Sequence, residues 1–181
     1  MRFLLAALAA SMAAACSPEY NWREVRSTEQ GYLVMLPGKP ATMTRTIRLD
    51  SLEVPMTMQG ARVGEASFTV AVAALPSDDP ATRAAAVASM RAGMLQNIGG
   101  TEREAVAVRV PVVDGAGARL GDEHGVRVDA DGRVREQKVT MRAGFASRGD
   151  RAYQWVALGP SLDDEQARTF LGSFRLTPAV P

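Results

Sequence analysis

Few residues in this chain could do chemistry. The single histidine, His124, stands in Gly121-Asp-Glu-His-Gly125. Asp122, Glu123 and His124 are all metal-ligating types, but neighbours on an extended strand point to opposite faces. No second histidine exists to complete a shell. A Ser/His/Asp triad would need His124 as its base, and no serine occupies a Gly-x-Ser-x-Gly elbow. The carboxylate pairs Asp78-Asp79 and Asp163-Asp164 have the composition of a glycosidase pair. Both stand where a helix should begin, and acids there complement the N-terminal dipole and its orphan N–H groups. Gly115-Ala-Gly-Ala-Arg-Leu-Gly121 is one residue too long for a dinucleotide fingerprint and precedes a strand.

Softer ligands are also present. Met35, Met43, Met56, Met58, Met90, Met94 and Met141 offer thioethers to copper, with Met56 and Met58 on one strand face. Scattered methionine more commonly fills cores. Tyr153 and Trp155 share a face near the C-terminal helix and could line a pocket; two aromatics on one strand face are ordinarily core. This inventory leads us to expect a non-enzymatic protein with no metal and no cofactor.

One residue stands apart. Arg2 precedes a 13-residue apolar-to-small run, Phe3 to Ala15, which ends at the only cysteine, Cys16. That run is too short to span a bilayer, which takes about 20 residues. It suits the apolar region of a secretory signal, typically about 7–15 residues. Ala13-Ala-Ala-Cys16 resembles the lipobox of a bacterial lipoprotein, with Ala13 where such boxes usually carry Leu. The resemblance implies that residues 1–15 are removed and that Cys16 is lipidated and becomes the new N-terminus. A lone cysteine has no partner for a structural disulfide, and several acyl chains together hold firmly to a membrane. An ordinary cleaved signal would show similar small residues. Ser17 stands where an inner-membrane retention signal usually places Asp, so the expected location is the outer membrane, facing the periplasm.

Removing residues 1–15 from the 181-residue chain leaves 166, comfortable for one domain and tight for two. A chain this long buries about 70% of its unfolded surface and needs neither disulfide nor metal to fold. Without Arg2 the basic and acidic residues number 20 each. That balance gives no electrostatic reason to bind nucleic acid. The division read from the chain is a signal at 1–15, a lipidated tether at 16–21 and one α+β domain at 22–181. Five extended residues, 17–21, reach at most about 17 Å, which keeps the domain near the bilayer.

Strand signals fill the first part of the domain. Trp22–Arg26 alternates as a short edge strand, and Gly31–Leu36 leads into the Pro37-Gly-Lys-Pro40 turn. Thr42–Leu49 and Leu52–Gln59 have period two, and Pro55 argues for an edge or a bulge. Ala66–Leu75 is apolar on both faces and is expected to be the central strand. A helix follows, with Asp79 as N-cap, Pro80 at its first position and Gly99-Gly100 at its end. Val87, Met90, Met94 and Ile98 form its apolar stripe. Strands are then expected over 102–113, 119–129, 133–147 and 151–158, with hairpins at Asp131-Gly132 and Gly149-Asp150. Ser161-Leu-Asp-Asp164 has capping-box spacing ahead of a short helix, Asp163–Leu171, and Ser173–Leu176 should dock on the sheet.

Tyr32-Leu-Val-Met-Leu-Pro-Gly-Lys-Pro40, Phe68–Pro76, Arg151–Val156 and Ala167–Arg175 resemble the structural punctuation of PsbP-like and DcrB-like envelope proteins. The resemblance implies a single α+β sandwich of an antiparallel sheet with two helices, and carries over no ligand or catalytic residue. The functional expectation is a lipid-anchored binding or accessory module of an envelope complex, with an unidentified envelope protein as partner. The alternative is a periplasmic carrier of a small apolar or lipid-like ligand.

Overall fold

The computed structural model describes residues 19–178, so Cys16 and the expected signal lie outside the described residues. The elements in chain order are β1 (Arg23–Ser27), β2 (Tyr32–Leu36), β3 (Ala41–Leu49), β4 (Leu52–Val63), β5 (Ala66–Ala74) and α1 (Pro80–Asn97). After these come β6 (Thr101–Val113), β7 (Arg119–Val134), β8 (Gln137–Arg148), β9 (Arg151–Gly159), α2 (Asp164–Ser173) and β10 (Arg175–Leu176). All ten strands belong to one sheet, ordered β1-β2-β10-β6-β7-β8-β9-β5-β4-β3. Neighbours are antiparallel except β10, which lies parallel to β6 with Leu176 opposite Val112.

This corrects the expected sandwich. Strand makes up 57% and helix 18% of the described residues, and the sheet curls into a half-barrel instead of forming one small sheet under two helices. The physical reason is the width of the sheet together with the length of its strands. The right-handed twist accumulates from strand to strand, and a wide run of twisted strands curls. Here β6, β7 and β8 are 13, 16 and 12 residues long. The helices do not share a face: α1 packs on one side of β7–β9, and α2 packs on the other side against β8, β9 and β2.

Two cores result. Under α1 lie Met56, Ala71, Ala73, Val128, Met141, Phe145 and Val156. Under α2 lie Phe68, Val70, Tyr153, Trp155, Phe170, Phe174 and Leu176. Each large side chain so buried contributes about 1.5–3 kcal/mol over leaving it in water. The two cores share β9, whose Tyr153 and Trp155 face α2 while Ala152 and Val156 face α1. β5 is buried on both faces as expected, but it lies third from the β3 edge, so the central position passes to the longer β7 and β8.

Local signals fared unevenly. Asp79 caps α1, its carboxylate accepting from the Thr82 N–H at 2.9 Å, and Pro80 opens the helix. The cap of α2 is Asp163, which accepts from the Gln166 N–H at 2.8 Å, and Ser161 takes no part in it. Gly149-Asp150 forms the tight β8–β9 turn, with Gly149 at φ +54°. Asp131-Gly132 is not a hairpin; the β7–β8 turn falls at Arg135-Glu136, both at positive φ. Gly132 serves packing instead, since a Cβ there would meet the Ile98 carbonyl oxygen at the end of α1.

The chain entering the domain is docked. Tyr20 stacks on Trp22 with centroids 6.0 Å apart, and both rings meet Phe68 edge-on. The Trp22 indole N–H donates to Gln166 Oε1 at 3.2 Å, and the Asn21 N–H donates to the Pro37 carbonyl. Tyr20 and Asn21, read from sequence as tether, are therefore part of the folded unit.

Candidate functional site

The side of the sheet that carries α2 is not apolar throughout. Its side chains run in rows across the strands. One row is Glu104, Asp129, Arg142, Ala157, Phe68 and Ala61; the next is Val106, Arg127, Gly144, Trp155 and Val70. The first row is charged on β6, β7 and β8 and the second on β7, and both are apolar on β9 and β5. The charged part opens because the β6–β7 register shifts between Glu102 and Glu104. A bulge there re-aims the chain. Arg103 reaches Asp131 at 3.0 Å, and Glu104 lies on the α2 side.

Between this stretch and α2 is a groove of about 240 Å³, lined by Glu104, Val106, Arg127, Asp129, Arg142, Arg168 and Leu171. Arg142 is its anchor. Its Nη2 holds Asp164 Oδ1 at 2.6 Å, which pins the start of α2 to the sheet, and its Nε lies 3.8 Å from Asp129 Oδ2. That second distance is beyond hydrogen-bond reach. The Arg142 Nε is buried without an acceptor, as is the indole Nε1 of Trp155. Trp155 occupies the next row, its ring over Gly144, where any Cβ would collide with it. Glu104, Arg127 and Arg168 take no ion-pair partner among the described residues, and Glu104 stands directly opposite Asp129 across the strand pair. Like charges facing each other across a sheet are destabilising.

At the other end of the sheet lies a wider cleft of about 460 Å³, lined by Glu123, Arg148, Asp150, Arg151, Tyr153 and Thr177 among others. Its charges are matched: Arg148 meets Glu123 at 2.8 Å, and Arg151 meets Asp150 at 3.5 Å. Burial pushes the Tyr153 hydroxyl up to about 12. That hydroxyl donates to the Gln30 carbonyl at 3.0 Å.

The structure separates most of the residues singled out from sequence. Asp122 pairs with Arg119, Glu123 with Arg148, and His124 Nε2 accepts from Arg109 at 3.0 Å. Three adjacent ligand types are thus drawn to three different arginines. Asp79 is a cap. Met56 and Met58 share the face under α1, packed with that core. Tyr153 and Trp155 are core residues, and Trp155 stacks on Phe174 at 4.2 Å. Asp163 caps α2, while Asp164 belongs to the edge of the groove through Arg142. Cys16 lies outside the described residues.

The groove itself was not anticipated from sequence. Its residues come from β6, β7, β8 and α2, and each reads alone as a solvated strand or helix position. The one available signal was Arg142, the only charge in the Val139–Phe145 stretch.

No family model matches the chain, and no curated protein matches it. Among solved structures it is similar to PA94, a protein of unknown function from Pseudomonas aeruginosa, at 14% identity and a TM-score of 0.36, over 76% of this chain and 82% of that one. A likeness of that size carries no argument about fold or role.

Proposed function

We propose that this protein is a lipid-anchored, non-catalytic binding or accessory module of a bacterial envelope complex, held on the outer membrane through Cys16 and facing the periplasm. The observation that supports this reading is the docking of Tyr20 and Trp22 on Phe68. Only residues 17–19 then separate Cys16 from the folded unit. Four Cα steps span at most about 14 Å, so a lipid on Cys16 would hold one chosen end of the domain against the bilayer. A tether for a freely roaming domain would be long and undocked.

The alternative, a carrier of an apolar ligand between sheet and helices, has less support. The space under α2 is filled by Trp155, Phe174, Phe170 and Tyr32, and the groove beside it is charged. Fractionation of the full-length chain and of Cys16→Ala tests the anchor. The native chain should sediment with membranes and be released only by detergent, and the variant should become soluble once processed. A variant that stays with the membrane would overturn the anchor. A long flexible insert after Pro18 should preserve anchoring but lower function; full function with the insert would remove the close-tether reading.

A further inference from the structure

We propose that the groove between α2 and β6–β8 is a binding site for a small zwitterion, an oxyanion joined to an ammonium, with the chemistry of phosphoethanolamine. Arg127 and Arg168 present guanidinium groups without a carboxylate, and Glu104 presents a carboxylate without a cation, all on one groove of about 240 Å³. In the cleft at the other end of the sheet, the corresponding charges neutralise one another at 2.8 and 3.5 Å. The groove differs from that cleft in bringing unpaired charges of both signs together from β6, β7 and α2.

Hydrogen bonding gives a second, independent indication. Arg142, which lines the groove, has its Nε buried without an acceptor. A buried donor left open costs roughly 1–3 kcal/mol, and such groups call for an unseen partner. A phosphate-type oxyanion has the acceptor geometry that guanidinium groups match best. The carboxylates are what exclude a simple anion. Glu104 facing Asp129 would repel a bare phosphate, and an attached ammonium would relieve the facing pair. The groove has room for a headgroup-sized solute.

Position suggests a source. Arg142 and Phe68 lie on one row with Ala157 between them, and Tyr20, next to the tether, packs on Phe68. The groove is thus at the tethered end, where a phosphatidylethanolamine headgroup or free phosphoethanolamine would supply the same chemistry. Only the choice of the lipid as source rests on the anchor reading.

The test is calorimetric titration of the full processed chain in maltoside micelles with phosphoethanolamine, inorganic phosphate and ethanolamine. Phosphoethanolamine should bind about tenfold more tightly than phosphate, and Arg127→Gln should weaken it about tenfold. Glu104→Gln should abolish the preference over phosphate. Arg168→Gln, on the exposed side of α2, gives a second probe should Arg127→Gln lower the melting temperature. No binding at about 10 mM, equal affinity for phosphate and phosphoethanolamine, or binding untouched by both arginine variants would overturn the proposal. Vesicles of phosphatidylethanolamine with phosphatidylglycerol that compete with the soluble ligand, where phosphatidylglycerol alone does not, would assign the site to the lipid. Soluble binding undiminished by either vesicle would assign it to the free solute. A Cys16→Ala chain that stays with the membrane yet binds phosphoethanolamine would overturn the anchor and leave the groove standing.

Discussion

The two faces of the sheet solve the same burial problem with different side chains. Under α1 the core is aliphatic side chains and methionine, with Phe145 its only aromatic ring among the described residues. Under α2 it is Tyr32, Phe68, Tyr153, Trp155, Phe170 and Phe174, joined at the entrance by Tyr20 and Trp22. Flexible methionine adapts to its surroundings, whereas stacked rings fit one geometry. The aromatic face is also the one that takes in the entering chain and borders the charged groove. On that side Trp155 stacks on Phe174, and Arg142 ties α2 to the sheet through Asp164.

This contrast can be broken most sharply at a glycine. Gly144→Ala would drive a Cβ into Cζ2 and Cε2 of the Trp155 ring, and Trp155 cannot retreat because it is stacked on Phe174. A loss of about 3 kcal/mol or more is expected, read as a lowered urea midpoint. A wild-type midpoint would mean that the aromatic face is looser than its packing implies. Next in size are two truncations, Phe170→Ala and Met90→Ala, at 0% and 3% exposure. Phe170→Ala should cost about 4 kcal/mol and Met90→Ala about 3. Only the first should also alter the near-ultraviolet dichroism of the aromatic cluster.

Alkaline pH should act through the α2 face. Burial raises Tyr153 to about 12 and raises Tyr32 further; Tyr20 is raised as well, by burial first and then by Glu19 and Asp163. An unfolded tyrosine ionises near 10. Between 10 and 12 the unfolded chain has lost a proton that folded Tyr153 keeps, so stability is full below pH 10 and declines as pH rises through this window. Tyr153 alone should account for about 2–3 kcal/mol by pH 12. Tyrosinate absorbance should rise together with unfolding; a rise near pH 10 with the fold intact would contradict the burial. The smallest effect lies on the other side. Gly93 is within α1, and a methyl group added there would meet nothing inside 4 Å, so Gly93→Ala should stabilise by about 0.5–1 kcal/mol. A loss there would show that α1 is packed more tightly than its contacts indicate.

Punctuation was legible wherever a residue acts on its own neighbours. Asp79-Pro80 opens α1, Gly99 at φ +51° follows its end, and Gly149 turns the chain between β8 and β9. Reading failed where a residue answers to something distant. Asp131-Gly132 has the composition of a turn, but Gly132 is glycine because Ile98 packs against it. Ser161 has capping-box spacing, yet Asp163, two residues later, makes the cap. The groove could not be read at all, because Glu104, Arg127, Arg142 and Arg168 are far apart in the chain and ordinary in type.

From the residues alone come the caps, the tight turns, the alternation of the strands, the shortage of catalytic groups and the lipobox-like approach to Cys16. Each depends on the sterics, hydrogen bonds or residue types of a few neighbouring positions. The tertiary structure alone decides that ten strands form one curled sheet, that the helices take opposite faces, and that β10 closes beside β6 through Leu176 and Val112. Those outcomes depend on twist accumulated over many strands and on pairings between distant segments. A bulge near Glu104 and the pinning of Asp164 by Arg142 then bring scattered charges to one groove.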